Sequence, residues 1–368
     1  MNTSPEFELR QATAQDDADI RALISSVSMP GAVSIQFSRE PDYFLGTTIM
    51  GNPCDVLVAR HQPDGQLAGI AVRAEHHAFL NGQEATLGYI GQIRIAPDYR
   101  GRWLVNQGAE WFREASSPDL LYFGVIASEN PRARQLMVGS RPPAGLHSRD
   151  MGGLTTCALL LRPSRPHRTP GVDINPGSAE TLSGIVDFLR QQGARRQFFP
   201  AYALENFTNG TSLRGLKAED ILVARRGDQI VGVLSVWDQA AYKQDVVESY
   251  GPTLRCLRPV YDLIARCIGA RPLTPPGQAI QLAFAAGICI LNDEPLVMQS
   301  LLSAAKINAY HRGKAFLMVG LSDNDPLLKI VRRHLHIKYH SDLYAVSWSS
   351  EAIRQLDERL PYIEIATL

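Results

Sequence analysis

Apolar residues recur along the chain with two spacings, and these spacings predict alternating strands and helices. Residues 8–12 alternate as in a short strand, and residues 16–27 place their apolar side chains on one face of a helix. The segment 29–52 contains prolines and glycines, so we predict a loop there with a short helix near residues 43–45. Up to residue 161, the predicted order is strand, helix, three strands, helix, strand, helix and strand.

The same pattern is written twice in the chain. Val56–Val72 and Ile221–Leu234 each read as two strands joined by a turn that contains glycine and aspartate. In the same order, Val125–Asn130 and Val319–Asn324 each read as a strand that runs into a loop with an acidic residue and asparagine. Because the order of the elements agrees in both copies, we interpret the chain as a tandem duplication.

The duplication predicts two domains. A chain of 368 residues is long enough for two hydrophobic cores. We place the first domain at residues 1–161 and the second at residues 178–368. The segment 162–177 contains four prolines and is predicted to be the linker between them.

One strand, turn and helix forms a candidate ligand site. Residues 88–112 read as an alternating strand, an arginine- and glycine-containing turn, and a segment with helical spacing. The first N–H groups of a helix have no partner within it and attract anions. Arg100 and Arg102 can add charge-assisted contacts there. The pattern therefore favours binding of a diphosphate.

The residues Ile95–Arg102 resemble the signature of the Gcn5-related N-acetyltransferases. In that family, a strand ends near a proline and an arginine- and glycine-rich loop opens the helix that cradles the pyrophosphate of acetyl-coenzyme A. Two positions depart from the signature, since Trp103 and Val105 stand where the family has small residues. Glycine serves there by lacking a side chain, so these departures concern the close approach of the main chain to phosphate.

The resemblance implies an α/β fold of two tandem acetyltransferase-fold domains, each with a central mixed β-sheet flanked by helices. It also implies acetyl-CoA, or another acyl-CoA, as co-substrate bound to the first domain, with no metal. The residues implied to contact the co-substrate are Ile93, Arg94, Ile95, Arg100, Gly101, Arg102, Trp103, Leu104, Val105 and Asn130.

The second copy differs at the turn that follows its central strand. There the sequence reads Leu291–Pro295, which is acidic and lacks glycine, and it would repel a diphosphate. We therefore expect only the first copy to bind coenzyme A. A polar and aromatic stretch at Trp237–Tyr250 would suit an acceptor pocket between the copies, although packing of an insertion explains it as well.

Three residues are candidates for catalysis. His76 can act as a base because imidazole titrates in the useful range. Tyr89 and Gln92 lie on the predicted central strand, where they face either the acceptor or a helix. In many members of the family, a tyrosine protonates the leaving thiolate. Met137 stands at that position, and a thioether cannot donate a proton.

Composition narrows the class of partner. Basic and acidic residues both number 37, so no overall charge attracts nucleic acid or an anionic membrane. The five cysteines form no pair with metal-site spacing. The polar N-terminal segment and the short apolar runs lead us to expect a cytoplasmic protein. Histidines at 334, 336 and 340 have a spacing that does not favour a metal site.

These observations favour an enzyme that transfers an acetyl group from acetyl-CoA to an amine of a small molecule or peptide. Two alternatives remain open. One is a protein of the same fold that binds acyl-CoA without catalysis, and the other is a transferase that uses a different acyl carrier. The sequence does not specify the acceptor.

Overall fold

The computed structural model describes residues 6–28, 31–100, 102–138 and 142–368. Helices and strands alternate through both halves of the chain. The elements of the first half are β1 (Phe7–Gln11), α1 (Asp17–Ser26), β2 (Val33–Ser38), α2 (Tyr43–Thr47), β3 (Cys54–His61), β4 (Leu67–Leu80), β5 (Gln83–Ile95), α3 (Arg102–Ala115), β6 (Tyr122–Ala127), α4 (Pro131–Val138) and β7 (His147–Leu160).

The second half repeats this order with an insertion before its central strand. Its elements are β8 (Asp173–Pro176), α5 (Leu182–Gly193), α6 (Leu204–Thr208), β9 (Ile221–Arg226), β10 (Gln229–Trp237), β11 (Gln244–Tyr250), α7 (Pro252–Cys267), β12 (Leu282–Ile290), α8 (Pro295–His311), β13 (Phe316–Ser322), α9 (Leu328–Val331), β14 (His336–Ser347) and α10 (Ser350–Arg354).

Within the described ranges, twelve strands form one continuous mixed sheet. The strand order is β1-β3-β4-β5-β6-β14-β7-β13-β12-β10-β9-β8. The order reads alike from both ends, because each copy contributes five strands in the same sequence and then receives the last strand of the other copy. Strand β14 pairs with β6, and β7 pairs with β13. The structure thus confirms the predicted mixed α/β fold in two copies, while the exact domain boundaries remain a prediction.

Two strands lie outside the predicted order. Residues 29–52 were expected to form a loop with one short helix, but Val33–Ser38 form β2, which pairs with β11 in a separate two-stranded sheet. In that sheet Phe37 lies opposite Asp245. The loop prediction was wrong at β2 because the strand is short and its partner lies about two hundred residues away in the chain. This small sheet brings the insertion of the second copy against the first copy.

Helices cover both faces of the first-copy strands. Helix α1 buries Ile20, Leu23 and Ile24 on one face of the sheet, as its apolar spacing predicts. Helix α3 packs on the opposite face, where Leu104 lies in a cluster with Ala59 of β3. Successive residues of β5 therefore point alternately to α3 and to α1 and α2. No helix among the described residues is long and apolar enough to span a membrane.

Candidate functional site

Strand β5 separates from its neighbour β6 near the middle of its length. The parallel pair is held together at two positions, with Gly88 opposite Tyr122 and Tyr89 opposite Phe123. Glycine is needed at position 88, because an added Cβ atom would lie 2.0 Å from the ring of Tyr122. Beyond Tyr89, β5 remains paired with β4 but not with β6 in the part of the chain that the structure describes. This edge of β5 therefore lacks a strand partner.

A β-bulge lies at the start of the opening. Gln92 and Ile93 are inserted opposite a single residue of β4, and Gln92 has a left-handed φ of 53°. The Tyr89 hydroxyl lies against Gly91, where an added Cβ atom would be 2.0 Å away, and it faces the main-chain N–H of Gln92. Burial raises the pKa of Tyr89 to about 12. The hydroxyl thus keeps its proton at neutral pH and can act as a hydrogen-bond donor.

The turn predicted to hold a diphosphate follows β5 directly. A short 3-10 turn at Pro97–Tyr99 leads to Arg100, which is exposed and has its Nε atom 3.5 Å from a main-chain oxygen of β5. Helix α3 begins at Arg102. Gly101 lies outside the described residues, as do the side chains of Arg102 and Trp103. The strand, turn and helix predicted from the sequence are therefore present in order.

An apolar cleft separates α3 from the open edge of β5. Four of the predicted co-substrate residues line it together, namely Ile93 and Ile95 from β5 and Leu104 and Val105 from α3. Trp348, which follows β14, lines its other side with an indole Nε1 atom that is buried without a hydrogen-bond partner. The cleft offers apolar surface next to unpaired main chain.

Asn130 lies at the start of α4, close to the end of β6. Its Oδ1 atom accepts a hydrogen bond from the N–H of Ala133 at 3.1 Å, so the side chain caps the helix. The residue is exposed. Nothing is described of the Met137 side chain.

The other face of β5 carries a cluster of arginine and tyrosine side chains. The guanidinium carbons of Arg39 and Arg94 lie 5.9 Å and 5.6 Å from the ring centre of Phe37. Tyr43 of α2 is fully buried, and its hydroxyl has no hydrogen-bond partner. Tyr43 and Tyr89 both lie close enough to the two arginines to interact with their charges. Burial lowers the pKa of both arginines.

Two oppositely charged side chains from β11 and the residue before it complete this cluster. Lys243 donates hydrogen bonds to the main-chain oxygens of Ala366 and Leu368, at 3.0 Å and 2.6 Å. Burial lowers its pKa to about 7. Burial also raises the pKa of Asp245, which interacts electrostatically with Arg39 and with Lys243. Both side chains are half-buried. Together with Arg39 and Arg94 they form a charged cluster between the two copies, which we call the junction cluster.

His76 is placed behind Tyr89 on the same face of the sheet. Its ring centre is 6.0 Å from that of Phe123, and the ring of Tyr89 packs on Phe123 from 5.1 Å. Burial lowers the pKa of His76 to about 4, and its Nδ1 atom is buried without a partner. The imidazole is therefore neutral at pH 7, and its lowered pKa makes it a weak base there. Its neighbour His77 is exposed.

The second copy has the same bulge in its central strand. Gly287 and Ile288 of β12 are inserted opposite one residue of β10, and Gly287 has a φ of 59°. Here the main chain is capped by side chains from the end of the chain. The N–H of Gly287 donates to Glu364 at 2.7 Å, and that of Ile288 donates to the Tyr362 hydroxyl at 3.1 Å. The second bulge is thus closed by the protein itself.

The turn after β12 is also occupied by the protein. Leu291–Asp293 form a 3-10 turn that leads into α8. Arg196 donates to Asp293 at 2.5 Å and lies 3.4 Å from the carboxylate of Asp325. The charges at this turn are therefore satisfied internally, in contrast to those at Arg100 in the first copy.

The structure brings most of the predicted site residues together around the bulge of β5. Sequence reasoning missed Arg39, Phe37 and Asp245, because they meet only through the pairing of β2 with β11. Lys243 lies in the polar stretch that the sequence suggested for an acceptor pocket, whereas Trp237 of that stretch is fully buried. No group of three His, Cys, Asp or Glu side chains among the described residues could hold a metal ion.

Comparison with solved structures identifies the fold. Saccharomyces cerevisiae N-myristoyltransferase with bound myristoyl-CoA aligns with a TM-score of 0.61 and 9% identity, over 95% of this chain and 84% of that chain. A Gcn5-related N-acetyltransferase from Sphaerobacter thermophilus aligns over 100% of both chains, with a TM-score of 0.56 and 14% identity. A Gcn5-related glucosamine N-acetyltransferase region of a fungal β-N-acetylglucosaminidase aligns over 93% of this chain and 38% of that one, with a TM-score of 0.59 and 14% identity.

These likenesses confirm the predicted fold, which is the Gcn5-related N-acetyltransferase fold in its tandem form. At the level of sequence the picture is different. No protein-family model matches the chain, and no curated protein matches it.

Proposed function

We propose that the protein is an N-acyltransferase that uses an acyl-CoA, with acetyl-CoA as the expected donor, and that the first copy binds it. The observation that carries the proposal is the bulge of β5 at Gln92 and Ile93, which has no strand partner on its β6 side among the described residues and is faced by the Tyr89 hydroxyl of its own strand. A cationic turn and the junction cluster lie next to it. The equivalent bulge of the second copy is sealed by Glu364 and Tyr362. We therefore assign binding of the acyl-CoA to the first copy alone.

The binding role follows from the exposed main chain. A pantetheine arm carries amide groups that can pair with the open edge of β5 as a strand would. Arg100 and the N–H groups at the start of α3 favour the diphosphate. The apolar cleft lined by Ile93, Ile95 and Val105 suits the uncharged parts of the donor.

The chemistry is assigned to Tyr89 at the bulge and to Asp245 of the neighbouring junction cluster. The acceptor nitrogen attacks the thioester carbonyl, the carbon–sulfur bond breaks, and the proton of the amine passes to Asp245, whose raised pKa makes it a better base. The CoA thiolate leaves against the Tyr89 hydroxyl, which donates a hydrogen bond to it. Tyr89 would thereby fill the role that Met137 cannot. His76 is neutral and behind Tyr89, and it is the second candidate for the base.

The activities for which the fold neighbours are named support this proposal. They include an N-myristoyltransferase crystallised with myristoyl-CoA and a glucosamine N-acetyltransferase region. Both names describe acyl transfer to nitrogen. The identities of 9% and 14% carry the fold, and the assignment of the reaction to this chain rests on its own site.

Calorimetric titration with acetyl-CoA, a long-chain acyl-CoA and free CoA tests the proposal, followed by release of free CoA in the presence of amines. We expect micromolar binding and turnover that falls at least tenfold in Tyr89→Phe and in Asp245→Asn, with binding retained. Binding without turnover for any amine would favour the sensor alternative. No binding of any of the three would contradict the proposal.

A further inference from the structure

We propose that the acceptor is an amino acid, whose carboxylate is held by Arg39 and Arg94 while its amine faces Asp245. The inference rests on the proposed N-acyltransferase function and names the substrate class of that site. It is carried by two arginines of the junction cluster that form no ion pair within 4.0 Å among the described residues.

Arg39 is the stronger of the two observations. Its side chain follows β2 and the residue is 4% exposed, yet within the described residues its guanidinium donates only one hydrogen bond, from Nη1 to the main-chain oxygen of the preceding Ser38, at 2.8 Å. No carboxylate of the described residues lies within 4.0 Å of this guanidinium. A buried guanidinium that no carboxylate contacts is costly, and Asp245 offsets its charge only from beyond ion-pair distance.

Arg94 provides a second cation in the junction cluster. It hydrogen-bonds only to the main-chain oxygen of Ile93, at 3.0 Å, and no acidic side chain of the described residues lies within 4.0 Å of it either. Both guanidinium groups contact the ring of Phe37. The two charges weaken each other, since Arg94 lowers the pKa of Arg39. These two cations and Lys243 share one carboxylate of the junction cluster, that of Asp245, so the cluster has an excess of positive charge that favours an external anion.

The shape and chemistry of the groups favour a carboxylate. A guanidinium offers parallel N–H donors whose spacing matches the two oxygens of a carboxylate. The hydroxyl of Tyr43, buried without a partner, adds a donor close to both arginines. Such a donor costs free energy when it is left unpaired.

Asp245 sets the other end of the acceptor. It lies across the small sheet from Phe37 and has no hydrogen-bonded side-chain partner among the described residues. A carboxylate in that position attracts an ammonium group and can then take its proton. Arg39 and Arg94 can bind an anion and Asp245 can bind an amine, so the junction cluster is complementary to a zwitterion. Because the arginines outnumber Asp245, an amine without an anionic group would leave positive charge unbalanced.

The test compares acceptors that differ only in this charge. Glycine, β-alanine, glutamate, lysine and phenylalanine are each assayed against the corresponding carboxamide, with acetyl-CoA as donor and CoA release as readout. We expect every accepted pair to favour the carboxylate at least tenfold in kcat/KM. Carboxamides that equal or exceed their amino acids would overturn the proposal and would indicate a peptide or a simple amine as acceptor.

Variants place the preference on the arginines. Arg94→Gln should lower kcat/KM for the amino acid about 30-fold, the loss expected for a charge-assisted hydrogen bond, and leave that for the carboxamide within threefold. Arg94→Lys should restore part of the preference. Arg39→Gln should act in the same direction, provided that its thermal unfolding shows a folded protein. An unchanged preference in Arg94→Gln would contradict the assignment.

A crossed control separates this inference from the proposed function. Arg100→Gln should weaken acetyl-CoA binding without changing the ratio of amino acid to carboxamide. If the protein binds no acyl-CoA, the proposed N-acyltransferase function is wrong. The carboxylate site is then tested separately, by calorimetric titration of the protein with the amino acids alone. Amino-acid binding lost in Arg94→Gln would uphold the site in that case, and its absence would overturn it.

Discussion

Strands β5 and β12 have the same bulge in the same place, but the chain treats them differently. In β12 the bulged residues Gly287 and Ile288 donate to Glu364 and Tyr362. In β5 the corresponding edge has no strand partner among the described residues, and the Tyr89 hydroxyl that faces the Gln92 N–H comes from the same strand. The two copies therefore share the bulge and differ in whether side chains from the end of the chain close it. Function is then decided by what the chain packs into the opening.

The turns that follow these strands differ in the same sense. Arg100 stands exposed in the first copy, whereas Asp293 of the second copy is neutralised by Arg196. A diphosphate approaching the first turn meets a free cation, and one approaching the second meets paired charges. Strand and turn therefore agree on which copy binds the donor.

The largest expected effect comes from breaking the seal of the second copy. Glu364 is buried and accepts from the N–H groups of Gly287 and Ala366 and from the Tyr362 hydroxyl. Glu364→Ala leaves these donors buried and unpaired, so we expect a loss of about 4 kcal/mol in the free energy of unfolding. Urea denaturation measures it. The exposed Glu351→Ala is the matched control and should change little; an equal loss in both would contradict a structural role for the seal.

The next effect concerns the turn of the first copy. Arg100→Glu places a negative charge where the diphosphate is proposed to sit, so we expect acyl-CoA affinity to fall about 100-fold, which is about 3 kcal/mol. Calorimetry gives the dissociation constant. Arg255→Glu makes the same charge change on exposed α7 and should leave affinity intact. Equal losses in the two variants would point to general electrostatics in place of a site.

We expect the free energy of unfolding to fall at acid pH because His76 is buried behind Tyr89. The pKa of His76 is lowered to about 4 by burial, whereas an unfolded histidine titrates near 6.5. Between these values the unfolded state binds more protons, so stability falls as the pH drops from about 6.5 to 4. We expect His76 to account for about 2 kcal/mol of this loss at pH 4.5.

Thermal unfolding at several pH values checks this slope. His76→Phe should flatten it, while His77→Phe should not, because the His77 side chain is 71% exposed. If the two variants show the same loss of stability at acid pH as the parent protein, His76 is hydrated and the interpretation of its surroundings is wrong.

The smallest expected effect sharpens the comparison at a single methyl group. Gly91 and Ala286 precede the two bulges, and the Tyr89 hydroxyl lies above Gly91. Gly91→Ala displaces Tyr89, so we expect a loss of about 1 kcal/mol in stability and roughly tenfold slower turnover. Ala286→Gly should leave turnover unchanged. A Gly91→Ala protein with normal turnover would remove Tyr89 from the reaction.

Much of the fold could be predicted because its signals are local. The alternation of Val56–Val72 and its echo at Ile221–Leu234 marked both hairpins, and the arginine turn marked the start of α3. These features depend on residues a few positions apart. The tandem fold followed from their order.

The junction cluster could not be predicted, because its side chains come together only when the chain folds. Arg39 and Asp245 are held near each other by β2 and β11, which lie in different copies. Short strands with a distant partner carry no local signal. The sealing of β12 was hidden for the same reason, since Glu364 comes from the end of the chain and its sequence context shows no motif.

Hydrogen exchange measured by mass spectrometry, with and without acetyl-CoA, tests the central claim most directly. The account predicts that peptides covering residues 90–95 exchange quickly in the free protein and become protected on binding, while peptides covering 285–290 are protected in both states. Protection that changes at 285–290, or binding that leaves 90–95 unchanged, would contradict the assignment of the donor to the first copy.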